Sequence, residues 1–176
     1  GGADSSVGEK DLIRFLATHY VAPEGSSFKE TTLHLRKGYE YQGRTRTFKS
    51  EFRTDNASAN GIKVSGEWTL PENYDPAKRI LFLHGGAFVV GSSVSHRPIT
   101  DNLAQRTGCA VFAVDYRLGM ENSRMDGIKD CQAAYDWILE NGPDGAAPVE
   151  KLAVAGDSAG GNLTLMAIQY ARDNKL

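Results

Sequence analysis

The sequence predicts an α/β fold with a mostly parallel sheet covered by helices on both faces, antiparallel strands at its N-terminal edge, and a helix ahead of them. Three observations predict it. Arg79-Ile80-Leu81-Phe82-Leu83, Cys109-Ala110-Val111-Phe112-Ala113-Val114 and Leu152-Ala153-Val154-Ala155 are short apolar runs. Helical spacing separates and follows them, the pattern of parallel strands buried on both faces. Upstream of Pro76, residues 28–70 alternate instead and are rich in Thr, Tyr, Phe and Val, which suits antiparallel strands with one wet face.

The elements follow in order. Residues 9–20 read as an amphipathic helix, with Leu12, Phe15, Leu16, His19 and Tyr20 on one side. Pro23, Gly25, Ser26 and Ser27 end it. Thr31-Thr32-Leu33-His34-Leu35 and Ile62-Lys63-Val64-Ser65-Gly66-Glu67-Trp68 read as strands, with Arg44, Arg46, Lys49 and Arg53 on the wet face. Ile99, Leu103 and Ala104 sit on a helix closed by Gly108. Ser123 with Asp126 caps a helix carrying Ile128, Cys131, Tyr135 and Ile138, and residues 159–173 form the last helix. The expected division is a cap segment over residues 1–26 and a catalytic unit over 27–176.

Composition narrows the function. The 176 residues are 40% hydrophobic and 24% charged, enough for one core. A net charge of −2 disfavours a non-specific nucleic-acid binder. No run approaches the roughly 18 apolar residues of a membrane span. No leader is visible behind Gly1, which is itself not an initiator methionine, and the expected compartment is the cytoplasm. Two cysteines, Cys109 and Cys131, read as buried thiols, and four scattered histidines offer no metal site.

Two motifs carry chemistry. Gly156-Asp157-Ser158-Ala159-Gly160 is G-x-S-x-G between an apolar strand and a helix. A serine hydroxyl is a poor nucleophile unless exposed beside a base, and a sharp strand-to-helix turn exposes it. Gly156 and Gly160 relieve crowding in that turn, and the helix N-terminus behind Ser158 favours negative charge. His84-Gly85-Gly86-Ala87 follows the strand ending at Leu83. Acyl transfer builds charge on the former carbonyl oxygen, so it needs preorganised N–H donors. Gly85, Gly86 and Ala159 are the candidate oxyanion donors, with His84 supporting the loop. Nucleotide readings fail: Ser92 stands where a phosphate loop requires lysine, and no G-x-G begins at Gly156.

At these residues the chain resembles the hormone-sensitive-lipase-like branch of the α/β hydrolases. The resemblance rests on His84 to Ser92, on Asp115-Tyr116-Arg117-Leu118, and on Gly156 to Asn162, and it covers the chain from about residue 78 onward. It implies carboxylic-ester hydrolysis, no cofactor, and a cap that begins with N-terminal helices. Two departures stand out. Ala87 replaces the usual third glycine of the oxyanion loop, and Gly119-Met120-Glu121-Asn122-Ser123 replaces a proline-rich stretch. Phe15, Leu16, Tyr20 and Phe88 are the candidate substrate-binding residues.

The resemblance places the triad acid and histidine after the serine, yet His19, His34, His84 and His96 all precede Ser158. Asp157 adjoins the serine, and Asp115 reads as half of a structural ion pair. The expectation is therefore an esterase of small, fairly apolar esters, completed by a C-terminal fragment of the same protein and open to homo-oligomerisation. The alternatives are a non-catalytic receptor for small ligands on the same scaffold, and an amide hydrolase.

Overall fold

The computed structural model describes residues 5–176, with side chains described at 11 and from 14 onward, so Leu12 lies outside them. Helix α1 spans Ser5–Tyr20 and α2 spans Phe28–Thr45. Strands β1 (Glu51–Ala59) and β2 (Ile62–Leu70) form a hairpin, joined by Asn60 and Gly61 at φ 54° and 73°. That two-residue turn matches the twist of the strands it joins. Next come β3 (Asp75–Leu83), α3 (Arg97–Thr107), β4 (Cys109–Val114) and α4 (Arg124–Glu140). A two-residue pair, β5 (Asn141–Gly142) and β6 (Gly145–Ala146), precedes β7 (Lys151–Gly156) and α5 (Ala159–Asn174).

The main sheet has the order β1-β2-β4-β3-β7. The first two pairings are antiparallel, and β4-β3 and β3-β7 are parallel. Side chains alternate across it, as the period-2 geometry of strands requires. Leu81, Leu83, Phe112 and Val114 face α4 and α5, which add Ile128, Cys131, Ile138, Leu163 and Ala167. Ile80, Phe82, Val111 and Ala113 face the other way, with Ala104 of α3. The predicted cover on both faces is present, and so is the Ser123–Asp126 capping box of α4.

One expectation is overturned. Residues 28–45 are helix, not strand. Five alternating residues from Thr31 to Leu35 are too few to separate a strand from little more than one helical turn. The stronger signal lay just before them, where Ser27 and Glu30 form a capping box. Covered positions 32, 35, 36, 39, 42 and 43 recur at spacings of three and four, with Gly38 buried between them. Glu40 pairs with Arg44 one turn on. Arg44, Arg46 and Lys49 are exposed as expected, but on α2 and the link after it, not on a strand.

Cys131 is buried and Cys109 only partly so, and both are free thiols. No helix among the described residues is long and apolar enough to cross a membrane.

Candidate active site

The sheet itself assembles the site. Strands β3 and β7 run parallel with Leu83 opposite Gly156, so the chain leaves both at one sheet edge. His84–Gly85 and Asp157–Ser158 therefore meet. Gly85 N–H donates to Asp157 Oδ1 at 2.9 Å across that gap. The start of α5 presses on the end of β3: a Cβ at Gly160 would stand 1.8 Å from the Leu83 carbonyl oxygen. Only glycine allows that approach, which sets how sharply the chain turns at Ser158.

Ser158 is exposed and has φ 50° and ψ −118°. For a residue with a Cβ such a conformation costs of order 1–3 kcal/mol and persists only where the surroundings enforce it. Here Gly160 N–H donates to the Asp157 carbonyl at 2.7 Å and Gly161 N–H to the Ser158 carbonyl at 3.0 Å. The Ala159 N–H, in the first turn of α5, has no carbonyl within the helix to meet it.

The loop after β3 is also unusual. Gly86, Ala87, Phe88 and Gly91 have φ of 120°, 53°, 65° and 95°. A Cβ at Gly86 would lie 2.2 Å from the Val90 carbonyl oxygen, so that position needs glycine on both counts. Gly86 and Ala87 are partly or fully exposed on the loop's outer turn. Gly85 is buried with its N–H committed to Asp157. This corrects the expectation for Gly85, because an amide bonded to a carboxylate is not available to an oxyanion. The carboxylate beside the nucleophile decided that, and the glycine pair alone does not show it.

His84 is buried, and its Nδ1 lies 2.7 Å from the Gly85 carbonyl oxygen. A carbonyl only accepts, so Nδ1 carries the proton. The ring stacks on Tyr116 at 4.3 Å, and the Tyr116 hydroxyl donates to the His84 carbonyl at 2.6 Å. Burial pushes the imidazole down to about 4, so it is neutral near pH 7.

His96 directly precedes α3. Its Nδ1 meets Ser95 Oγ at 2.8 Å and its Nε2 lies 3.4 Å from Asp157 Oδ1. Burial pushes the Asp157 carboxyl up, but the His96 contact and the Gly85 N–H outweigh it and leave it below the usual carboxylate range. His19 stacks on Tyr41. Among the described residues Asp115 has no cationic partner: it accepts from Ser93 N–H at 2.7 Å and Ser93 Oγ at 3.0 Å, anchoring the far end of the loop. Burial pushes its carboxyl up against those two donors.

A cavity of about 370 Å³ opens in front of Ser158. Gly86, Ala87, Val89, Val90 and Asp157 line it, and so do Tyr20, Leu35 and Tyr39. Of the four substrate-binding candidates, only Tyr20 borders it. Leu16 borders an adjoining hollow with Tyr20, Tyr39 and His96. Phe15 packs on the rings of His19 and Tyr41. Phe88 turns to the other side of its loop, under the Arg124 guanidinium at 4.3 Å. Leu35 and Tyr39 give no signal in the sequence, because the alternation at 31–35 reads as a strand and hides their shared helix. Val89 and Val90 went unseen because a loop with successive left-handed residues has no periodicity to read. Among the described residues no cluster of His, Cys, Asp or Glu is arranged to hold a metal ion.

Comparison with known proteins agrees with this geometry. Residues 80–176 match the family described as the alpha/beta hydrolase fold. An acetyl-hydrolase of Streptomyces hygroscopicus is 38% identical over 109 residues, 62% of this chain and 35% of that one. An ethyl acetate hydrolase of Pseudomonas putida is 40% identical over 110 residues, 60% of this chain and 35% of that one. The crystal structure of an esterase from the bacterial hormone-sensitive lipase family superposes with a TM-score of 0.72 at 28% identity, over 98% of this chain and 54% of that one. The chain thus spans about a third of the length of those two curated relatives. With the exposed serine of a strand-to-helix turn facing a glycine-built loop, and a family match over more than half of its length, the chain belongs to the α/β hydrolases, in their hormone-sensitive-lipase-like branch.

Proposed function

We propose that this chain carries the nucleophile and the oxyanion donors of a serine carboxylesterase acting on small, fairly apolar esters. The observation that carries the reading is Ser158 itself. It is an exposed hydroxyl on a strained turn, at a helix N-terminus, opening on a small cavity with mostly apolar walls. Strain of that kind clusters where chemistry needs a side chain presented at one place.

In this mechanism Ser158 Oγ attacks the ester carbonyl carbon. The N–H groups of Gly86, Ala87 and Ala159 receive the negative charge that develops on the carbonyl oxygen, and the helix N-terminus adds to them. Ala87 takes the place first expected of Gly85. Collapse of the tetrahedral species releases the alcohol and leaves the acyl group on Ser158, and water then frees the acid. The proton is moved by a histidine that a carboxylate orients. His84 and His96 face other partners, so both groups are assigned to a C-terminal part of the same protein outside residues 1–176. His84 acts as loop support. Helix α1 and the link after it, together with α2, form the cap over the acyl side, and Tyr20 and Tyr39 limit the acyl length. The acetyl group in the name of one relative and the ethyl acetate in that of another are in keeping with a cavity of this size.

A fluorophosphonate should label Ser158 in the whole protein, and Ser158→Ala should abolish both labelling and hydrolysis of a short-chain p-nitrophenyl ester. Hydrolysis at the wild-type rate by that variant would end the proposal.

A further inference from the structure

The oxyanion loop has two side-chain-bearing residues in the left-handed region, Ala87 and Phe88, on a half-exposed turn. Each such residue is held in a disfavoured conformation, so the loop needs outside constraints to keep its amides aimed. Asp157 supplies one at Gly85. Asp115 holds the far end through Ser93, and two further constraints come from α2.

Arg36 Nε donates to the Val89 carbonyl at 2.8 Å, and an Nη of the same guanidinium donates to the Gly119 carbonyl at 3.0 Å. Gly119 N–H in turn donates to the Phe88 carbonyl at 2.7 Å. One planar group thus closes a ring that includes Phe88, Val89 and the neighbouring loop. Glu121 Oε1 and Oε2 complete the guanidinium's partners at 2.8 and 2.9 Å. One helical turn beyond Arg36, Glu40 accepts the hydroxyl of Ser92. The same face of α2 therefore grips the loop at two points. Val89 N–H and Val90 N–H each donate to the Gly86 carbonyl at 3.0 Å, so a shift at Val89 passes directly to Gly86.

We propose that Arg36 is a positioning residue for the oxyanion amides, and that α2 is coupled to catalysis through it as well as walling the cavity. The competing account is a surface ion pair with Glu121, whose side chain is 51% exposed. Such a pair contributes little. The two accounts differ in what the guanidinium does. A fork that reaches two backbone carbonyls and a carboxylate at once cannot be reproduced by an ammonium. This inference rests on the proposed role of Ser158.

The test uses the whole protein, with active sites counted by fluorophosphonate titration and kcat expressed per titrated site. Arg36→Ala should lower kcat about tenfold to a hundredfold, the scale of a small misplacement of catalytic groups, with KM changed less than threefold. Arg36→Lys keeps the charge without the fork and should fall between that variant and the wild type. Either of two results would overturn the inference: kcat per site within twofold of wild type in Arg36→Ala, whatever its melting temperature, or wild-type kcat in Arg36→Lys. An inert Ser158→Ala beside a fully active Arg36→Ala removes only this inference, whereas an active Ser158→Ala removes the reading beneath it.

Discussion

Strands β3 and β7 look alike in sequence and differ in the folded molecule. Each is a short apolar run that ends at the same sheet edge and hands the chain to a glycine-rich turn. In β3, Ile80 to Leu83 are 0–6% exposed. No residue of β7 is buried. The cause is position: β3 lies between β4 and β7, while β7 has one strand neighbour among the described residues. The turns differ in the opposite sense. The turn after β7 is set mainly by its own helix and by Gly160 against Leu83, with Asp157 bonded across to Gly85. The turn after β3 depends on distant partners: Asp157, Arg36, Glu40 and, at its far end, Asp115. An apolar run predicts a strand in both cases, but it is the neighbours that decide burial and hold the turn that follows.

The largest expected effect tests the open side of β7. Residues 1–176 expressed alone should show no measurable esterase activity and should be insoluble or molten. Among the described residues one edge of β7 is unpaired, with Leu165 67% and Ile168 52% exposed on α5. A soluble, cooperatively melting, ester-cleaving monomer would break the comparison and direct attention back to His96.

Next in size, Leu81→Ala in the whole protein should cost about 2–5 kcal/mol in urea denaturation, the usual range for a fully buried leucine. Leu152→Ala on β7 should cost nearly as much there, because the proposed C-terminal part continues the sheet beyond β7. A cost below about 1 kcal/mol would leave β7 an edge strand, as half-buried positions predict.

At the turn after β3, Gly86→Ala should lower kcat about 10²-fold, the scale of losing one oxyanion donor. The added Cβ collides with the Val90 carbonyl and the residue must keep φ near 120°. If KM alone rises and kcat is unchanged, the loop is a binding wall and the donor assignment fails.

The smallest effect is a matter of pH. The His84 imidazole is lowered by burial from its ordinary 6.5 to about 4. The unfolded chain takes up that proton from about pH 6.5 downward and the folded one does not. Stability should therefore fall as the pH drops from about 6.5 to 4. Asp157 is lowered from an ordinary 3.8, so its contribution is lost below that window. The melting temperature of His84→Gln should decline less steeply between pH 6.5 and 4. Parallel curves would show that His84 exchanges its proton as freely folded as unfolded.

Much of this was legible in the sequence, for local reasons. The apolar runs at 79–83, 109–114 and 152–155 and the Ser123–Asp126 capping box are signals within a few residues of each other. So is the serine in its glycine-flanked turn, because strand, turn and helix are contiguous. Residues 28–45 could have been read correctly from Ser27 and Glu30, had the cap outweighed a five-residue alternation.

What the tertiary structure alone decided are the pairings between distant segments. Asp157 takes the Gly85 amide across 72 positions, and Arg36 reaches Val89 across 53. Phe88 turns under Arg124 while Leu35 and Tyr39 line the cavity at the serine. No local propensity encodes such contacts. They appear only when a parallel sheet brings two strand ends to one edge and α2 lies across the loop that leaves it. An amide, a carboxylate or an aromatic ring takes its role from the partner it finds there.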